Sequence, residues 1–283
     1  MKDEYERDWR FVLNDPQKGR LTGPGNEGLT MVLDKGLGLS ALKDLLDVSG
    51  QYIDFIKLSF GTSLLYVQDV LEKKIEIIKE YQIDVYPGGT LFEIAVTQNK
   101  LDGYMKRAYK LGFTALEISN GTISLSETVR REAILKAKKM GFKVLTEVGK
   151  KDKNNPLQLD EMQQQINRDL ETGADNIIVE GRESGRGVSI YCEDGSIDFK
   201  MLNGILLSIK GFEDVIIWEA PLKKQQVLLI KQLGPNVNLG NIAVDEVLAL
   251  ESLRRGLRGD TFKLILESEI DGKNVNKESG VGA

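Results

Sequence analysis

Two kinds of apolar spacing alternate along the chain. Short, almost wholly apolar runs lie at 29–34 (LTMVLD), 52–58 (YIDFIKL), 83–87 (IDVYP), 114–119 (TALEIS), 143–148 (KVLTEV), 176–181 (NIIVEG), 215–220 (VIIWEA) and 236–240 (NVNLG). Runs of that length and composition predict strands buried on both faces, as in a parallel sheet. Between them apolar residues recur at three- and four-residue steps. In LSETVRREAILKAKKMG, Val129, Ala133, Ala137 and Met140 fall on one helical face. Ser124 and Glu127 have capping-box spacing there, and Gly141 can end the helix in a left-handed turn. Further helices are predicted over 41–49, 66–81, 101–111, 158–172, 198–209, 223–233 and 243–255. Eight strands alternating with eight helices predict an α/β chain folded as a single (β/α)₈ (TIM) barrel. The alternative is an open doubly wound sheet, but no G-x-G-x-x-G follows the first strand. The barrel is expected over 28–262, with an N-terminal extension at 1–27 and a polar tail at 263–283.

Glutamates recur at one end of these strands. Glu117, Glu147, Glu180 and Glu219 sit near the C-terminal ends of four successive strands, at separations of 30, 33 and 39 residues. Asp34 and Lys57 occupy similar places on the first two. In a barrel those ends converge on the mouth that carries active sites. Each acid could simply pair with a neighbouring base, but four carboxylates facing one cavity repel and call for a cation. Cations expected at the same mouth are Lys57, Lys150, Lys151, Arg182 and Arg186. The loop EGRESGRG (180–187), which contains Ser184, suits either an anion grip or a solvated loop. NLGNIAVDE places Gly240 and Asn241 at an expected helix N-terminus, where free N–H groups bind phosphate; a plain turn is the competing reading. Gly88-Gly89 is read as a turn.

Composition narrows the chemistry. The 283 residues include no histidine, which excludes Ser-His-Asp and Cys-His catalysis and His-ligated zinc. Proton transfer falls to Glu, Asp, Lys, Tyr, Cys or water, and a metal would be held by oxygen. Without histidine the cation expected among the carboxylates is Mg²⁺, held by one or two of them and by water. Cys192 is the single cysteine, so no internal disulfide is available, as expected of a reducing cytoplasm. Net charge is −5 with no long basic run, which gives no sign of nucleic-acid binding. The charged start MKDEYERDWR has no signal-peptide character, and no apolar run is long enough for a membrane span.

Taken in order, GLTMVLDKGL, DFIKLSFGTS, VYPGGTLFE, LEISNG, VLTEVGKK, IIVEGRESG, EAPLKKQQ and VNLGNIAVDEVLALESLRRGLRGDTF resemble the phosphosulfolactate synthase family, from about residue 28 to 262. The resemblance implies a cytoplasmic, Mg²⁺-dependent barrel enzyme that adds sulfite to C3 of phosphoenolpyruvate, giving (2R)-phospho-3-sulfolactate, the opening step of coenzyme M synthesis in methanogens. Charge then moves through C2 into the substrate carboxylate, and C2 must be protonated. On this reading Glu147, Glu180 and Glu117 are the metal candidates. Lys150, matched through TEVGKK, is the general acid, with Lys151 solvated. Lys57, Arg182, Ser184, Gly240 and Asn241 bind substrate. The resemblance also implies a homo-oligomer, with a trimer expected. Two other readings stay open: another lyase or aldolase on a carboxylate or phosphate substrate, either metal-assisted or a Schiff-base aldolase with Lys57 as the only fair lysine, and a non-catalytic stress-associated barrel like the plant heat-stress proteins.

Overall fold

The computed structural model describes residues 9–21, 27–150 and 157–267. Its principal elements are β1 (Thr30–Asp34), α1 (Leu39–Ser49), β2 (Phe55–Leu58), α2 (Gln68–Glu80), β3 (Asp84–Pro87), α3 (Gly89–Thr97), α4 (Leu101–Leu111), β4 (Ala115–Ile118), α5 (Glu127–Lys139), β5 (Lys143–Val148), α6 (Leu159–Thr172), β6 (Asn176–Val179), α7 (Phe199–Ser208), β7 (Ile216–Glu219), α8 (Lys223–Leu233), β8 (Asn238–Ala243) and α9 (Val247–Arg254). All eight predicted strands are present, in one parallel sheet of order β3-β2-β1-β8-β7-β6-β5-β4. The end strands β3 and β4 meet at a seam. There the Thr114 N–H donates to the Val85 carbonyl at 3.1 Å, and the Val85 N–H donates to the Thr114 hydroxyl at 2.9 Å. A threonine side chain thus replaces a ladder bond where the nearly closed barrel joins.

The continuous apolar runs have two destinations because side chains alternate along a strand. Leu29, Met31, Phe55, Tyr86, Ala115, Leu145, Ile178 and Ile217 point inward and fill the barrel. Their neighbours of opposite parity, among them Val32, Ile56, Val85, Leu116, Val144, Ile177, Trp218 and Leu239, form the larger core under the helices. At the N-terminal face the fully buried Arg254 donates to the carbonyls of Pro235 (2.6 Å), Val237 (2.7 Å) and Leu29 (3.2 Å). Burial and the nearby Arg20 lower its pKa to about 9. Arg20 pairs with Glu251 at 2.9 Å and Arg255 with Asp15 at 3.0 Å, which ties the described part of the N-terminal extension to α9.

Three local expectations differ. The cap of α5 is Ser126, whose hydroxyl accepts from the Val129 N–H, rather than Ser124; Gly141 does take the left-handed conformation, at φ +88°. Gly88-Gly89 is not a plain turn, since Gly89 begins α3. Residues 259–267 are helical, so the first residues of the expected tail continue the fold; the rest of that tail lies outside the described residues.

Candidate active site

The inner face that carries the apolar plug continues, two residues further along five of the strands, into charge. Ala115 is followed by Glu117, Leu145 by Glu147, Ile178 by Glu180, Ile217 by Glu219 and Phe55 by Lys57. The four glutamates are at most 1% exposed and Lys57 is 7% exposed. Lys57 Nζ lies 2.9 Å from Glu117 Oε2, 3.2 Å from Glu219 Oε1 and 3.8 Å from Glu147 Oε2. Burial alone would lower the lysine pKa, but the fields of Glu117, Glu219, Tyr86 and Glu147 outweigh it and raise the pKa well above the ordinary value. Lys57 therefore stays an ammonium at neutral pH and is a poor Schiff-base nucleophile. Backbone donors hold the same acids: Gly89 N–H to Glu117 at 2.8 Å, Gly181 N–H to Glu219 at 2.9 Å and Arg182 N–H to Glu180 at 2.6 Å.

A further carboxyl backs this layer. Glu93, on α3 and 3% exposed, meets the Ser119 hydroxyl at 2.7 Å, and that hydroxyl is also 2.7 Å from Glu147 Oε1. Sequence reasoning missed Glu93 because it read the start of α3 as a turn; the capping potential of Gly88 before an apolar run was the available signal. Beyond β5 the chain turns at Gly149, where φ is +134° and an added Cβ would stand 2.6 Å from Ser189 Oγ and 2.7 Å from Glu180 Cβ. Only glycine suits both the angle and the space. Lys150 follows, and its Nζ donates to the carbonyls of Asn120 (2.6 Å) and Ile123 (3.1 Å). Burial lowers its pKa, against the opposing field of Glu93 and with that of Arg130.

A cavity of about 380 Å³ opens at this mouth, lined among others by Lys57, Ser59, Phe60, Glu147, Glu180, Arg182, Ser184, Glu219 and Asn241. It gathers most of the residues expected from sequence, with exceptions. Glu117 stands one layer deeper, behind Lys57, and does not line it. Lys150 is turned to the β4–α5 loop, Arg186 is exposed outside the lining, and Lys151 lies outside the described residues. Asp34 has the opposite parity: its carboxylate leaves the barrel to meet the buried Lys74 of α2 at 2.6 Å. Gly240 and Asn241 are not at a helix N-terminus but inside β8, and α9 begins only at Val247. Gly240 is needed for packing, because a Cβ there would meet Met31 Cε at 2.5 Å. The Asn241 N–H faces the Met31 sulfur at 3.5 Å, so it is no open phosphate donor.

Backbone strain gathers at the same place. Phe60, Arg182 and Asn241 all line the cavity, with φ of +57°, +57° and +55°. Such conformations are uncommon outside glycine and cluster at functional sites. The Arg182 guanidinium makes no side-chain hydrogen bond or ion pair among the described residues, and so remains available to an anion, in contrast to the saturated Lys57.

The donor set suits a hard divalent cation. Four carboxyl groups line the cavity, one of them, Glu183, paired with Lys35 at the rim, while its one lysine ammonium is already shared with Glu117 behind it. Among the described residues no three Asp, Glu, Cys or His side chains form a metal-holding cluster by themselves. Mg²⁺ does not require one, because it commonly takes one or two carboxylates and keeps its waters. Glu147 and Glu180 meet that need; Glu117 does not reach the cavity.

The family model described as (2R)-phospho-3-sulfolactate synthase (ComA) matches residues 18–260. That match begins within the segment expected to be an extension and includes Arg20. A phosphosulfolactate synthase of Methanocaldococcus jannaschii is 49% identical over 237 residues, covering 83% of this chain and 94% of that protein. One from Bacillus subtilis is 39% identical over 247 residues, covering 87% and 96%. Protein HEAT-STRESS-ASSOCIATED 32 of Arabidopsis thaliana is 21% identical over 255 residues, covering 82% and 86%. Among solved structures, 3-hexulose-6-phosphate synthase from Salmonella typhimurium superposes with a TM-score of 0.52 at 14% identity, covering 84% of this chain and 99% of that one. The YdjI aldolase from Escherichia coli K12 gives 0.52 at 12%, covering 86% and 90%. The structural likeness speaks for the barrel fold alone.

Proposed function

The chain belongs to the (2R)-phospho-3-sulfolactate synthase family, whose activity is that of a lyase, and from that premise we propose how its own residues carry the reaction. The substrates are phosphoenolpyruvate and sulfite, bound in the cavity above the Lys57 layer. Both are anions entering an acid-lined mouth. That opposition is the observation that carries the reading: the cavity offers carboxyl groups and the unengaged Arg182, and needs a divalent cation before it can accept anions. Glu147 and Glu180 hold the Mg²⁺, which when bound supplies Lewis-acid stabilisation for the substrate carboxylate. Arg182 and Ser184 bind substrate anion from the β6–α7 loop.

Lys57 and Lys150 divide the remaining work by their environments. Lys57, its pKa raised by three glutamates and Tyr86, keeps its proton and holds the carboxylate layer in place. Lys150, its pKa lowered by burial, is the better acid and protonates C2 after sulfite has attacked C3. Its ammonium is turned to the Asn120 and Ile123 carbonyls and does not line the cavity, so to deliver the proton it swings off them towards C2. The alternatives weaken accordingly. A Schiff-base route needs an uncharged Lys57, and a scaffold has no use for five buried ionisable groups gathered at one end of the barrel.

The protein self-associates in this reading. Leu64, Leu65 and Val67 are 69%, 79% and 72% exposed beside an apolar groove of about 710 Å³ between α2 and α4. A trimer is the expected assembly, checked by sedimentation of the wild type against Leu65→Asp. The activity itself is tested by incubating the protein with phosphoenolpyruvate, sulfite and Mg²⁺ and looking for phosphosulfolactate. Absence of product with all three present would remove the reading.

A further inference from the structure

Arg182 is gripped by its own backbone at both ends. Its N–H donates to Glu180 Oε1 at 2.6 Å, and its carbonyl accepts from Asn241 Nδ2 at 3.3 Å. Between those two bonds the residue is held at φ +57°, a conformation that arginine seldom adopts without support. Asn241 is itself at φ +55°, but asparagine tolerates that region far better. Asn241 is 5% exposed and reaches from β8 past the end of β7 to the loop after β6. The bond to Arg182 also sets the orientation of its amide, since only the NH₂ group can donate to a carbonyl. Arg182 thus lines the cavity from a fixed point, and its guanidinium has no polar partner among the described residues.

We propose that Asn241 is a positioning residue that acts through Arg182: its amide locks the Arg182 backbone so that the guanidinium is preorganised for a substrate oxyanion. This rests on the reading of Arg182 as an anion receptor, and it replaces the expectation that Asn241 grips phosphate directly. Preorganisation matters because an arginine on a free loop would lose part of its binding energy in ordering itself. Asparagine supplies two things at once, a left-handed backbone and a donor of the right reach. Glycine would supply only the first.

The test is a double-mutant cycle on KM and kcat, with Arg182→Ala, Asn241→Gly and the pair. Arg182→Ala should raise the KM for phosphoenolpyruvate or for sulfite by about tenfold, as for loss of a charge-assisted hydrogen bond. Asn241→Gly keeps the backbone region and should raise the same KM by about threefold to tenfold, with kcat little changed. The pair should be no worse than Arg182→Ala alone. Near-UV circular dichroism checks that each variant is folded. Asn241→Asp, which keeps the shape but sets an acceptor against the Arg182 carbonyl, provides the second arm if the glycine variant does not fold. Effects that multiply in the pair, or a loss confined to kcat, overturn the positioning role. A normal KM in both Asn241 variants alongside a raised KM in Arg182→Ala overturns it while sparing Arg182. If Arg182→Ala leaves both KM values unchanged, the anion-receptor reading falls and this inference with it.

Discussion

Lys57 Nζ, at the cavity floor, stands 2.9 Å from Glu117 Oε2 behind it, and this buried pair anchors the charged side chains of the barrel. Removing one partner of a buried ion pair leaves the other charge uncompensated, which costs more than the pair contributes. Lys57→Met should therefore destabilise the protein by ~3–5 kcal/mol at neutral pH. The ammonium is favoured in the folded state. Its contribution is complete below the ordinary lysine pKa of 10.5 and is lost as pH rises from there towards the elevated folded value. Urea denaturation of wild type and variant between neutral and alkaline pH should show the gap narrowing above that point. A gap that widens with alkalinity would contradict the assignment.

The charged end was legible in sequence because rim pairing can explain one acid near the end of a parallel strand but is a poor account of four in succession. What decided inward from outward was parity. Glu117, Glu147, Glu180 and Glu219 each fall an even step from an interior apolar residue, whereas Asp34 falls an odd step from Met31 and turns out to Lys74. That test needs strand register, which composition does not supply. The β8 region was misplaced for a related reason: Gly240 looked like a helix start, but its small size serves close packing against Met31. The start of α3 was signalled by Gly88, but the place of Glu93 beside Ser119 depends on how α3 folds back over β4.

Metal dependence follows from the acid-rich lining. EDTA should abolish turnover and added Mg²⁺ or Mn²⁺ restore it. Mn²⁺ binding followed by electron paramagnetic resonance gives a readout free of catalysis. Glu147→Gln and Glu180→Gln should each weaken it by about 10–100-fold, by analogy with lost metal-site partners, while Glu117→Gln, one layer deeper, should weaken it little. Equal weakening by all three would put the metal below the cavity; full activity in excess chelator would end the metal-assisted mechanism.

Gly149→Ala probes the turn between Glu147 and Lys150. The residue sits at φ +134°, and the new methyl would press on Glu180 Cβ and Ser189 Oγ. A loss of about 1–3 kcal/mol is expected from the backbone alone. Activity at a temperature where the variant is still folded should fall further, because both neighbours of the turn belong to the site. Wild-type stability by urea denaturation would show that the chain can move here freely.

Lys150 carries the most specific expectation. If it is the general acid, Lys150→Met should keep the fold and lower kcat by about 10²–10⁴. Lys150→Arg should fail as well, because a guanidinium keeps its proton at any working pH. If the residue only attracts sulfite, the arginine variant should retain much of the rate, since the charge survives. The pH profile separates these further. The ammonium is the active form, so the rate should fall on the alkaline side as Lys150 loses its proton. Burial lowers that pKa, which places the alkaline limb below the ordinary value of 10.5. In Lys150→Met the residual rate should lose that limb. Solvent deuterium supplies the last check: product from the wild type should carry the label at C2 on one face only. Rapid labelling on the same face by Lys150→Met would show that water or another group delivers the proton, and Lys150 would be left as an electrostatic residue held by the Asn120 and Ile123 carbonyls.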